Sequence, residues 1–117
     1  ILIKAYRGDT IKIKNLQLLK GSYCISIITA IELIAGAKNI KQLSSLNKVL
    51  KVYPILYLSE NISKNSFQLY KKYILKSFFG LSDCFIAATA LHHNLSLYTD
   101  NKKHYDFIEG LQLHTER

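Results

Sequence analysis

The sequence predicts an α/β fold with a mostly parallel central sheet. Three observations predict it: short β-branched apolar runs, longer amphipathic stretches between them, and a length of 117 residues that leaves room for one hydrophobic core. Strand-like runs that alternate with stretches of helical spacing are the pattern of βαβ units, in which the strands run parallel. The whole of residues 1–117 then reads as a single domain with no linker, repeat or low-complexity segment.

The elements follow in order. Tyr23 to Ile28 is apolar and β-branched and reads as a buried strand. Thr29 to Ala37 follows directly, with Ile31, Ile34 and Ala35 at helical spacing. Lys41 to Lys51 sets Leu43, Leu46, Val49 and Leu50 on one face, and it must end before Tyr53-Pro54, because a residue preceding proline is driven out of the helical region. Ile55 to Leu58 is a short strand. Glu60 to Phe78 forms a second amphipathic stretch stopped by Gly80, and Ser82 to His93 forms another helix, rich in small residues and closed by Asn94. Leu95 to Tyr98 is a strand, Asp100 to His104 a polar loop, and Leu111 to Leu113 a final short strand after Gly110. The opening Ile1-Leu-Ile reads as the interior of an apolar element, so further sequence is expected upstream of it.

Composition narrows the function. With 16 Lys+Arg against 8 Asp+Glu the chain carries a formal charge of +8, spread along its length, which attracts a polyanion: nucleic acid first, an acidic protein second. The same charge also serves plain solubility. No apolar run approaches the ~18 residues of a membrane span. Cys24 and Cys84 each sit in an apolar run without C-x-x-C spacing, as reduced buried thiols do, and the opening residues lack the pattern of a secretory signal, so a cytoplasmic location is expected. The sequence contains neither G-x-G-x-x-G nor a G-x-x-x-x-G-K-[ST] loop, which disfavours a nucleotide cofactor. His92, His93, His104 and His114 lack H-x-x-x-H spacing, which argues against zinc, and read as surface or loop residues. Without G-x-S-x-G, and with both cysteines in apolar runs, no serine or cysteine nucleophile stands out.

Three of the eight carboxylates sit in informative places. Glu32 lies just past the first buried strand, Asp83 sits between Phe-Phe-Gly-Leu-Ser and Cys-Phe-Ile-Ala-Ala, and Asp100 follows the Leu95 to Tyr98 strand. A parallel sheet brings all three to its carboxyl edge, where such sheets bind ligands. Gathered carboxylates repel one another and lose hydration, so a hard cation such as Mg²⁺ or Mn²⁺ fits between them. Each also has a structural explanation. Thr29-Ala-Ile-Glu32 is a T-x-x-E capping box, Asp83 complements the dipole of a first helical turn, and Asp100-Asn101 is turn chemistry.

Taken together these residues resemble the PIN-domain ribonucleases, particularly the VapC-type toxins. Ile25-Ser-Ile-Ile-Thr-Ala-Ile-Glu32-Leu-Ile-Ala-Gly36-Ala37 is similar to the family's second acidic motif, and Ser82-Asp83-Cys-Phe-Ile86-Ala87-Ala88-Thr89-Ala90-Leu91 to its third. Leu97-Tyr98-Thr99-Asp100-Asn101, with Tyr105, Ile108 and Gly110-Leu-Gln-Leu113, is similar to its last motif and closing strand. Ile1 to Asp9 resembles the helix that follows the family's first strand, which puts that strand and the family's first Asp upstream of Ile1. The family usually carries its last Asp or Asn two residues after the Thr, the place of Asn101, whereas Asp100 stands one residue earlier.

The resemblance implies a PIN-like three-layer α/β/α fold and metal-dependent hydrolysis of RNA phosphodiester bonds. In that reading Glu32 and Asp83 hold one or two Mg²⁺ or Mn²⁺ ions. Asp100 or Asn101 holds the second ion or orients water, and Thr99 touches this loop or the phosphate. Arg7, Lys102 and Lys103 draw RNA in through its phosphates. It also implies a protein antitoxin and a homodimer, for which the Lys41 to Lys51 and Glu60 to Phe78 stretches offer faces, although core packing accounts for them as well. The alternative is a catalytically inactive PIN-like RNA-binding or antitoxin-binding module, which the Asn at 101 and the upstream position of the first Asp favour. A generic doubly wound nucleotide-binding protein ranks last, because the phosphate loop is missing.

Overall fold

The computed structural model describes residues 2–5, 23–76, 78–99 and 101–113, with side chains from residue 24 onward. Strands β1 (Leu2–Ala5), β2 (Tyr23–Ser26), β3 (Ile55–Leu56) and β4 (Ser96–Thr99) form a sheet in the order β3-β2-β1-β4. Every pairing in it is parallel, with Ile3 opposite both Cys24 and Leu97. A single parallel bridge from Leu97 to Leu113 extends the β4 edge, all that forms of the strand expected over Leu111 to Leu113.

Alternation along the strands creates the layers. Successive residues of a strand face opposite sides of the sheet. Cys24 and Leu97 enter one core with Ile86, Ala87 and Ala90. Their neighbours Ile25 and Tyr98 enter a second core with Ala30, Leu33 and Leu50. Helices α1 (Ile27–Ala35) and α2 (Ile40–Leu50) therefore cover one face, and α3 (Glu60–Tyr73) and α4 (Leu81–His92) the other. This is the three-layer α/β/α arrangement that the sequence predicts. No described helix is long and apolar enough to cross a membrane.

Local chemistry fixes the helix ends. Ser26, Asn39 and Ser59 are N-caps whose side-chain oxygens accept from the backbone N–H groups of Thr29, Gln42 and Ile62. Tyr53-Pro54 lies beyond α2 as expected, and Pro54 O accepts from Ile25 N–H at 3.0 Å. Asn94 adopts φ 54°, and the bonds Leu95 N–H to Ala90 O and Asn94 N–H to Leu91 O close α4 as a Schellman turn.

The structure corrects several boundaries. Leu2–Ala5 is a strand where the opening residues were expected to be helical, and the rest of Ile1 to Asp9 lies outside the described residues. Without that strand β2 and β4 would each present an unpaired edge within a sheet covered on both faces. Helix α1 begins at Ile27 rather than Thr29, because the Ser26 hydroxyl ends the strand by capping the helix. The capping box expected at Thr29 and Glu32 is therefore displaced. Helix α3 stops at Tyr73 rather than Phe78: Phe79 turns inward and packs edge-on against Tyr73 and Phe107, at ring-centroid distances of 6.0 and 5.4 Å. Gly80 becomes the N-cap of α4 instead of the end of α3.

Both cysteines are buried thiols that form no disulfide with one another. Burial, aided by the charge of neighbouring Asp83, pushes the Cys84 thiol up from its ordinary 9.0 to about 11. A thiol held protonated in the fold but free to ionise when unfolded stabilises the protein fully below the unfolded value. That contribution is lost as pH rises through the folded one. Stability is expected to fall more steeply between pH 9 and 11 in the parent than in Cys84→Ala, by at most about 3 kcal/mol. Denaturant midpoints of both proteins across that range measure it.

Candidate active site

Asp83 organises the carboxyl edge of the sheet. It stands in the first turn of α4 with only 2% of its surface exposed. A carboxylate so buried needs hydrogen-bond donors, and Gly80, Tyr105 and His104 are among the residues that meet it. Gly80 N–H donates to Oδ2 at 3.0 Å, the Tyr105 hydroxyl donates to Oδ1 at 3.0 Å, and His104 Nδ1 lies 2.9 Å from Oδ2. A carboxylate oxygen accepts, so the His104 ring nitrogen is the donor in that contact.

The Gly80 contact explains the dipole complement expected of Asp83: its side chain reaches back to the N-cap backbone. The two other partners come from the segment after β4, 21 and 22 residues further along the chain. Helix α4 and the β4 exit are thereby tied together through one side chain. The arrangement is a built anchor, with the His104 side chain 30% exposed on its outer side and the Asp83 side chain 3% exposed within.

Thr99 ends β4, buried, and its Oγ1 accepts from Asn101 N–H at 3.0 Å. Its hydroxyl thus holds the start of the loop that follows β4. Asn101 O in turn accepts from His104 N–H at 3.0 Å, starting the single 3₁₀ turn Lys102–His104 that aims the imidazole at Asp83. Asn101, Lys102 and Lys103 are exposed, and with Phe78 and His104 they line an open cavity of ≈ 410 Å³.

Glu32 lies partly buried on α1, one turn beyond Thr29, whose buried hydroxyl bonds Ser26 at the end of β2. Topology thus carries Glu32, Asp83 and Asn101 on elements that leave the carboxyl edge of the sheet. Asp100 and Arg7 lie outside the described residues, as does His114. Among the described residues no three His, Cys, Asp or Glu side chains form a metal-binding group. The chemistry of the donor set, two carboxylates and an amide oxygen, nevertheless suits a hard divalent ion.

Sequence reasoning singled out Asp83 but missed what holds it. His104 appeared as one loop histidine among four and Tyr105 only as part of a motif. The available signal was a polar residue pair placed directly after a strand end, where a parallel sheet gathers its site. Phe78, counted as the end of an amphipathic helix, faces the cavity instead.

Comparison with known proteins bears on the family and the fold. A family model described as PIN domain matches residues 1–109. The chain is 38% identical over 112 residues to Ribonuclease VapC1 of Methanocaldococcus jannaschii, covering 91% of this chain and 79% of that protein. It is similar to a toxin-antitoxin complex from Klebsiella pneumoniae at 30% identity and a TM-score of 0.72, over 99% of this chain and 98% of that one. A likeness of fold extends to DNA-bound VapBC from Salmonella typhimurium, with 23% identity, a TM-score of 0.81, and 97% and 96% of the two chains covered. The match over most of the chain, the 38% identity and the three-layer parallel fold together establish that this chain belongs to the PIN domain family.

Proposed function

We propose that the chain is an endoribonuclease that hydrolyses RNA phosphodiester bonds with the help of Mg²⁺ or Mn²⁺, and that it is the toxin of a toxin-antitoxin pair. One observation carries the reading: a buried aspartate, bonded by Gly80, His104 and Tyr105 at the carboxyl edge of the sheet, stands beside a cleft lined by two lysines. The identity to a protein named as a ribonuclease supports the same reaction.

In this reading Glu32, Asp83 and Asn101, together with Asp100, hold the ion. When bound, such an ion supplies a water of lowered pKa and neutralises charge that builds on the phosphate oxygens. The protein's own residues do the rest. His104 and Tyr105 fix the orientation of the Asp83 carboxylate, so that no reorganisation is needed during the reaction. Thr99 sets the path of the loop that presents Asn101 and the two lysines. Lys102 and Lys103, with Arg7, draw the RNA backbone toward the cleft as point charges.

The antitoxin and a second copy of the chain are the proposed protein partners. Exposed apolar side chains support a covered surface: Ile40 and Leu43 on α2, Phe67 on α3, and Leu75 just after it. A catalytically inactive binding module is the second reading. The engagement of both Asp83 oxygens by protein donors favours it.

Incubating a labelled total-RNA pool with the protein in Mg²⁺ or Mn²⁺, beside EDTA, separates the two. Fragments that appear only with the metal are the expected result. RNA bound but left intact under all conditions would establish the binding module.

A further inference from the structure

The cleft beside Asp83 is not lined by charge alone. Phe78 is 44% exposed, and its ring stacks with the His104 imidazole at a centroid distance of 6.0 Å and an interplanar angle of 27°. Its other ring neighbour is Phe107, tilted at 59° and also 6.0 Å away. An aromatic ring held by two neighbours and still open to solvent has a rigid, unused π-surface. Lys102 and Lys103 stand on the same cavity wall, and Asn101 adds an exposed amide that both donates and accepts.

We infer that this cavity is a subsite for one unpaired nucleobase of the RNA, with Phe78 as its stacking platform. Three features of the cavity select that ligand. A base has a flat π-face for Phe78, an edge with donors and acceptors for Asn101, and a flanking phosphate for Lys102 and Lys103. The ≈ 410 Å³ cavity lies within the range of small-molecule sites and accommodates a nucleoside. Duplex RNA cannot use such a platform, because its bases are already stacked, whereas single strands are recognised by stacking on aromatic side chains. Position gives the subsite its purpose. His104 touches Phe78 with its ring face and Asp83 with Nδ1, so a base seated here sets the neighbouring phosphate next to the carboxylate. The inference rests on the ribonuclease reading for that purpose, but the base contact itself requires no cleavage.

The test reads binding in EDTA, by fluorescence anisotropy of an end-labelled oligouridylate and of a blunt RNA duplex of equal length. Phe78→Leu keeps the apolar contact with Phe107 and removes the ring. It is expected to weaken single-strand binding roughly 5- to 100-fold while leaving duplex binding within about twofold, and Phe78→Trp is expected to restore it. Replacing Lys102 and Lys103 with Ala lowers the salt dependence of single-strand binding by about one to two ions. Unchanged single-strand affinity in Phe78→Leu overturns the inference, as does an equal loss on the duplex. An acidic peptide that loses its binding in Phe78→Leu while the RNA does not would assign the cleft to a protein partner and likewise overturn it. The two readings fail separately. Base-dependent binding without any metal-dependent cleavage removes the ribonuclease alone, and cleavage indifferent to Phe78 removes the subsite alone.

Discussion

Replacing Asp83 with Asn is expected to abolish RNA cleavage, with a loss of at least ~100-fold in rate, while the protein stays folded. Partners that merely orient a metal ligand typically cost about 10–100-fold when removed, so a carboxylate that itself holds the ion must exceed that range. The amide keeps one acceptor oxygen but sets an NH₂ group against donors that now meet carboxylate oxygens: Gly80 N–H, the Tyr105 hydroxyl and His104 Nδ1. A mismatch of that kind in a buried network costs about 1–3 kcal/mol. Tyr105→Phe completes the comparison. It removes one donor to Oδ1 and leaves the carboxylate in place, so it is expected to lower the rate by the smaller factor, about 10–100-fold. Initial cleavage rates of the three proteins at saturating Mn²⁺, taken well below their melting temperatures, measure both effects. Cleavage by Asp83→Asn at the parental rate would remove Asp83 from the reaction.

The difference between these two substitutions reflects how much of the site the sequence carries. Asp83 is legible because it is a carboxylate in apolar surroundings at a helix start, and local sequence contains both facts. His104 and Tyr105 are not legible in the same way. Their approach to Asp83 depends on β4 lying beside the central strand, on the Schellman turn at Asn94 that directs the chain into β4, and on the Thr99 hydroxyl that bends its exit. Those are contacts between elements, and periodicity within an element does not encode them.

From Tyr23 onward element order was legible for a complementary reason, whereas β1 was read as helix. Helix and strand repeats differ, and β2 and β4 each send alternate residues into the two cores. Boundaries were misread where one residue type serves two ends. Ile27 and Ile28 are β-branched and extend the apparent strand, yet Ser26 before them caps the helix they begin. Phe78 looks like the last turn of an amphipathic helix, but it lines a cavity, and Phe79 beside it enters the core.

Leu97→Ala is expected to cost about 2–5 kcal/mol, the range for a buried leucine whose neighbours cannot close the cavity. Leu97 is 0% exposed and belongs to the core that α4 shares with Tyr105 and Ile108. Its backbone is equally committed, opposite Ile3 on one side and bridged to Leu113 on the other, with Leu97 N–H bound to Gln112 O at 2.9 Å. Such a residue cannot shift to fill space without breaking the sheet, so the loss should fall at the upper part of the range. Against a total stability of about 5–15 kcal/mol for a small domain, the melting temperature drops by on the order of 10 °C or more. Leu81→Ala removes the same atoms from a residue 65% exposed and outside the faces proposed to be covered, and is expected to change stability by no more than about 0.5 kcal/mol. Thermal melts of the two variants therefore separate burial from hydrophobicity as such. The site follows the core. Two residues beyond Leu97 the chain reaches Thr99, whose hydroxyl shapes the loop leading to His104, so cleavage by Leu97→Ala should fail at the temperature where its β4 edge melts and not before.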